Sequence, residues 1–206
     1  MGEEVRTVAV PTTRFVRWVE NFGARHGETS LAVHDGALHG VAADGSTFAA
    51  HPPLAQQYVG EADLDRFLTA IDPPVTWGVL LVRKGGFAVA RMNGAEIAEH
   101  KIGQRHVQGR TKAGGQSQQR FARRRDNQAR QAYEAAADHA ARLLGAGRLR
   151  VVTGGDHAAV DEVLADPRLQ RVTVTEPWLA VPDPRRAVLD RAISDALSLR
   201  VEVRNA

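Results

Sequence analysis

Three observations predict a mixed α/β protein. Two turn signals, Lys84-Gly85-Gly86 and Asn93-Gly94, separate three runs of strand length, Trp77–Arg83, Phe87–Met92 and Ala95–Ile102. One long helical pattern follows, and short apolar runs then alternate with further helical patterns toward the end of the chain. An antiparallel meander followed by α-β-α-β-α folds most simply as a mixed sheet flanked by helices, and crossover handedness makes its later strands parallel. A small α+β subdomain precedes it.

The elements follow in order. Met1-Gly2-Glu3-Glu4 is acidic and leads into no apolar core of a signal peptide, so none is expected. Val10–Phe22 reads as a helix with Pro11 near its start, Phe15, Trp18, Val19 and Phe22 on one face, and Gly23 as its stop. Asp35-Gly36 makes Leu31–His34 and Ala37–Ala42 a hairpin, and Asp44-Gly45 turns into a strand through Phe48. Pro52-Pro53 breaks the pattern before a short helix marked by Leu64, Phe67, Leu68 and Ile71. Asp72-Pro73-Pro74 sets a boundary between an N-terminal piece, 1–73, and a second domain, 74–206.

Beyond the meander, a polar loop from Gly103 to Ala113 leads to a helix from Ser117, its expected N-cap, to Leu144, with Gly145 as its stop. Phe121, Ala129, Tyr133, Ala136, Ala140 and Leu144 fall on one face of it. Arg148–Thr153 is a short strand, Gly154-Gly155 a turn, and Asp156 the N-cap of a helix through Leu164. Val172–Val174 is the last strand and Arg186–Leu199 the final helix.

The 206 residues suffice for one large domain or two small ones, and 43% hydrophobic content supports a core. No apolar run approaches the ~20 residues of a membrane span. The absence of cysteine excludes disulfides and thiolate metal sites and fits a cytoplasmic protein. The histidines show no close ligand spacing; His34 and His39 could meet across the hairpin, but read as surface residues.

The chemistry concentrates in Lys112-Ala113-Gly114-Gly115-Gln116-Ser117-Gln118-Gln119-Arg120-Phe121-Ala122-Arg123-Arg124-Arg125. A glycine pair lets backbone approach a ligand where a Cβ would clash. Glutamine does not titrate, so Gln116 cannot be an ordinary general base; its amide can place a water, and a backbone N–H can stabilise an oxyanion. Between Lys101 and Arg130, nine Lys and Arg face the single acid Asp126; that local excess of eight, in a chain of net +3, leaves about −5 for the rest. Arg120, Arg123 and Arg124 share one side of the expected helix. A glycine tip with a cationic collar suits a deep site walled by phosphates.

Gly114-Gly115-Gln116-Ser117, followed by Arg120-Phe121-Ala122-Arg123 and Arg125, resembles the Gly-Gly-Gln signature of the middle domain of archaeal and eukaryotic class-1 peptide-release factors. In layout the chain is most similar to Vms-type release factors and their stand-alone actinobacterial counterparts, from about Trp77 onward. The resemblance implies a ribonuclease-H-like sheet in 74–206. It also implies a bacterial, codon-independent peptidyl-tRNA hydrolase that frees nascent peptides from stalled ribosomes or split large subunits in ribosome rescue and quality control. Gly114, Gly115 and Gln116 would be catalytic, with Arg110, Lys112, Ser117, Arg120, Arg123 and Arg124 on RNA. The implied partners are the large subunit, its rRNA and peptidyl-tRNA, met by a cytoplasmic monomer without cofactor, metal, DNA or membrane. Nothing in 1–73 resembles a stop-codon-reading domain, and that piece is expected to serve packing or docking.

Two other readings stand beside this one. A non-catalytic factor could occupy the peptidyl-transferase region, but the intact tripeptide favours hydrolysis. A metal-dependent nuclease would need clustered carboxylates at strand ends, and Glu96 and Glu99 alone are a poor set. No Gly-x-x-x-x-Gly-Lys-Ser/Thr occurs, which disfavours a P-loop enzyme.

Overall fold

The computed structural model describes residues 5–104 and 116–206, with the backbone alone over 116–129. The chain runs β1 (Arg6–Pro11), α1 (Thr12–His26), β2 (Thr29–His34), β3 (Ala37–Ala42), β4 (Thr47–His51) and α2 (Leu64–Ala70). It continues with β5 (Thr76–Arg83), β6 (Gly86–Asn93), β7 (Glu96–Gln104) and α3 (Gln116–Leu144). Last come β8 (Leu149–Gly155), α4 (His157–Leu164), β9 (Val172–Leu179), α5 (Arg186–Ala196) and β10 (Ser198–Arg204). These elements form two compact units, Met1–Pro73 with Ser194–Ala206, and Pro74–Ile193.

The first unit is a five-stranded antiparallel sheet in the order β1-β10-β4-β3-β2. Strand alternation sends Leu199 and Val201 into the core, while Arg200 between them stays exposed. Phe15, Val19 and Phe22 at helical spacing put one face of α1 onto this core. Phe48 meets Phe15, Trp18 and Phe22 edge-on, with ring centroids 6.3, 5.3 and 5.2 Å apart. Gly40 makes room for it, since a Cβ there would lie 2.1 Å from the Phe48 ring. The Asp63 carboxylate accepts from the Arg66 N–H at 2.9 Å and caps α2, whose Phe67 is fully buried.

Several boundaries differ from those the sequence suggests. Val10 belongs to a strand, because β1 pairs with β10 from the other end of the chain, a partner that local pattern does not reveal. Pro11 is extended (φ −55°, ψ 136°) and ends that strand. Gly23 lies inside α1; Gly27, at φ 95°, ends the helix and donates its N–H to the Gly23 carbonyl at 2.8 Å. The helix expected over Arg186–Leu199 stops at Ala196, and the following residues form β10, which sets them in the first unit and not with 74–193.

The second unit has the order β7-β6-β5-β8-β9. β5, β6 and β7 form the antiparallel meander, and β8 and β9 run parallel to β5. This is the mixed, ribonuclease-H-like arrangement. β5 is buried from Trp77 to Val82, as a central strand covered on both faces must be. The Trp77 indole donates to the Gly94 carbonyl at 2.8 Å. The edge strand β9 extends well past the expected Val174, since an edge tolerates the polar Thr173, Thr175 and Glu176.

Candidate functional site

α3 begins at Gln116, the last residue of the candidate tripeptide. Its C-terminal half is built for close seating: Ala132, Tyr133, Ala136, Ala137, Ala140, Leu143 and Leu144 are all buried. All of them but Ala132 pack in one core with Leu80, Val82, Phe87 and Val89 of the sheet and with Ala159, Val160 and Val163 of α4. Alanine at most of these positions lets the helix backbone come close to the strands. Gly78 in β5 takes part in the fit, because a Cβ there would stand 2.6 Å from the Leu144 side chain.

Polar contacts fix the same half. Arg142 donates to Glu99 on β7 at 2.5 Å, and Asp138 accepts from Arg168 at 2.7 Å. His139 stacks on Phe87 with centroids 5.6 Å apart. Burial, then the charges of Lys101 and Arg142, pushes the His139 pKa below its ordinary value. Burial raises the Tyr133 pKa, with Asp156 and Glu162 adding to it. The Gly145 N–H closes the helix on the Ala141 carbonyl at 3.0 Å, as the sequence suggests.

Gln116 is the first residue of this helix, about 42 Å along its axis from Leu144 at 1.5 Å per residue. Ser117 therefore sits inside the first turn and does not cap it. Arg120, Arg123 and Arg124 occupy helical backbone positions; their side chains, and those of Phe121 and Ala129, lie outside the described residues, as do Arg110, Lys112, Gly114 and Gly115. What the described residues establish is the mount: a continuous helix beginning at Gln116, with its other half locked to a mixed sheet.

The remaining candidates resolve as follows. Asp156 caps α4, accepting from the Ala158 N–H at 3.1 Å, and its own N–H donates to Val82 at 2.9 Å. The Gly154-Gly155 turn is thus a strand-to-helix connection, beside which His157 stacks flat on Trp178 at 3.5 Å. Glu99 is engaged by Arg142, and no group of three or more His, Asp or Glu among the described residues could hold a metal ion. His34 and His39 do meet across their hairpin, ring on ring. Sequence reasoning missed an arginine cluster at the starts of β8 and β9; the signal was an arginine just before each strand. Among the described residues no helix is long and apolar enough to cross a membrane.

The family match gives the class of protein, a release factor. The chain belongs to the acVLRF1 family, the Actinobacteria/chloroflexi VLRF1 release factors, whose model matches residues 75–202. No curated protein matches the sequence. Among solved structures, the chain is similar to the Vms1 mitochondrial localization core at 13% identity and TM-score 0.43, covering 91% of this chain and 79% of that one. It is also similar to the archaeal translation termination factor aRF1, at 12% identity and TM-score 0.41, covering 93% of this chain and 64% of that one. For Archaeoglobus fulgidus Pelota the figures are 11% identity, TM-score 0.24, and coverage of 94% and 63%. The chain thus spans less than two thirds of the latter two.

Proposed function

We propose that this release-factor family member is a codon-independent peptidyl-tRNA hydrolase, a cytoplasmic monomer that frees nascent peptides from stalled ribosomes or split large subunits. One observation carries the reading: in a chain of this family, Gln116, which follows Gly114-Gly115 in sequence, begins a helix whose far half is locked to the domain core. In the proposed reaction a water oxygen attacks the ester carbonyl carbon of peptidyl-tRNA. The bond from that carbon to the 3′-terminal ribose oxygen breaks; one of the water's protons ends on the ribose oxygen and the other is lost to solvent. The peptide leaves with a free carboxylate.

The residues act by position. Gly114 and Gly115 admit the backbone to the ester without a Cβ in the way. The Gln116 amide orients the water, and a backbone N–H at the tip meets the developing oxyanion. Arg110, Lys112, Ser117, Arg120, Arg123 and Arg124 hold the phosphates of ribosomal RNA and peptidyl-tRNA. No cofactor is needed for this chemistry. With nothing in 1–73 that resembles a codon reader, the factor recognises the ribosomal state and not a codon.

The test is peptide release from a stalled ribosomal complex, offered intact and as split large subunits. Labelled peptide should leave the tRNA on addition of the protein, whatever codon stands in the decoding site. A chain that binds these complexes and leaves the ester intact is a plug, and the proposal then fails.

A further inference from the structure

Arg148 and Arg171 stand immediately before β8 and β9, whose parallel register pairs Leu149 with Val172 and Arg150 with Thr173. The two arginines are therefore neighbours on adjacent strands, with backbones about 4.8 Å apart in the pairing direction. Arg150, two residues on from Arg148, extends the charge along the same side of β8. All three are exposed. Among the described residues none of them forms an ion pair. Asp166 and Asp138, on the turn before β9 and on α3, are both taken by Arg168, at 2.6 and 2.7 Å.

Like charges set side by side on paired strands repel, so this arrangement destabilises the free protein slightly. The carbonyl end of α3 explains one cation just after Gly145. It does not explain two more on β8 and ahead of β9. Arg148 and Arg171 also line a cleft of about 440 Å³ with Gln170, Val172 and Thr173. Guanidinium groups match phosphate oxygens in bidentate geometry, and the Gln170 amide and Thr173 hydroxyl add neutral donors. The lining carries no carboxylate to repel an anion.

We propose that Arg148 and Arg171, with Gln170 and Thr173, form a phosphodiester-binding cleft that takes the backbone of ribosomal RNA. It rests on the reading of the chain as a ribosome-bound factor. The cleft lies past the C-terminal end of α3, so it grips at the opposite end of the helix from Gln116. Two grips along one stiff element set how far its tip can be inserted, which one grip at the tip cannot do.

The experiment is co-sedimentation of the protein with large ribosomal subunits bearing peptidyl-tRNA, over a range of salt. Arg148→Ala with Arg171→Ala should weaken association and make log affinity against log salt shallower, by roughly 0.7–0.9 for each phosphate no longer held. Arg148→Lys with Arg171→Lys keeps the charge and should retain most of the slope. Should the alanine pair fail to fold, Arg171→Glu alone is read in the same way. Parental affinity and slope in a folded alanine variant would overturn the proposal. Protein-free ribosomal RNA is the second arm: weaker binding to subunits with unchanged binding to the naked RNA assigns the cleft to a ribosomal protein and equally overturns it. A parent chain that binds yet releases no peptide removes the hydrolase reading alone, and the slope still decides the cleft.

Discussion

The imidazoles of His34 and His39 lie face to face, with ring centroids 3.4 Å apart and planes 20° from parallel. The Nε2 atoms of His39 and His51 are buried without a hydrogen-bond partner. Burial, then the neighbouring His34, lowers the His39 pKa from 6.5; burial, then Arg200, lowers that of His51. Asp35 and Glu202 oppose these shifts without cancelling them.

A histidine whose pKa is lowered by folding binds protons more readily unfolded. The first unit should therefore lose stability as pH falls through 6.5, and the loss should level off below the lowered folded values. Asp44 and Asp166, whose carboxyls sit below their ordinary 3.8, act only at lower pH, so the effects separate. Thermal midpoints of the first unit at about pH 7.5 and 5.5, either side of the ordinary histidine value, measure this. His34→Gln should show a smaller drop, because it removes the charge facing His39. Equal midpoints at the two pH values would contradict the assignment.

Ala140 is fully buried where α3 meets the sheet. Ala140→Leu forces side-chain volume into that seam and should cost about 1–3 kcal/mol. Urea unfolding should show the loss, and peptide release should fall with it as the mount loosens. A variant with the parental midpoint would mean that the seam has slack.

Gly115→Ala adds a Cβ where the proposed reaction needs bare backbone, and should abolish release. Gln116→Ala removes one positioning amide; if that amide governs the water, release should fall by ~10²–10³. Both variants keep every charge and should co-sediment with ribosomes like the parent. Parental release from a bound Gly115→Ala protein would remove the catalytic role of the tripeptide.

Replacing Arg120, Arg123 and Arg124 together with Ala should weaken ribosome association and flatten its salt dependence by roughly 0.7–0.9 for each phosphate set free. Circular dichroism should be unchanged, since alanine extends the helix as well as arginine does. An unaltered slope would make these residues a solvated face.

How legible the fold was depended on whether its signals were local. The meander was plain, because Asn93-Gly94 and the Lys84-Gly85-Gly86 turn punctuate it residue by residue. Asp156 and Gly145 marked helix ends for the same reason. β1 and β10 were missed although Leu199, Val201 and Val203 alternate with Arg200, Glu202 and Arg204. Leu199 also suits the end of a helix, and β1 pairs with β10 from almost two hundred residues away in sequence, which no local pattern reveals. The tripeptide and its arginines are a reading from residue types and spacing alone. The alanine seam was legible only in part, since Ala136 and Ala140 fit the helical stripe while Gly78 sits in a distant strand. The Arg148–Arg171 cleft needed the β8–β9 register, which no local pattern encodes.

In the first unit, β10 lies between β1 and β4. Synthesis runs from β1 toward β10, so the two strands that flank the gap are made long before the strand that fills it. The second unit is one uninterrupted stretch, Pro74–Ile193, and can collapse as soon as it is made. Until β10 arrives, β1 and β4 each hold open an edge where any extended segment could pair. A strand made only after the whole second unit is thus the keystone of the first sheet laid down.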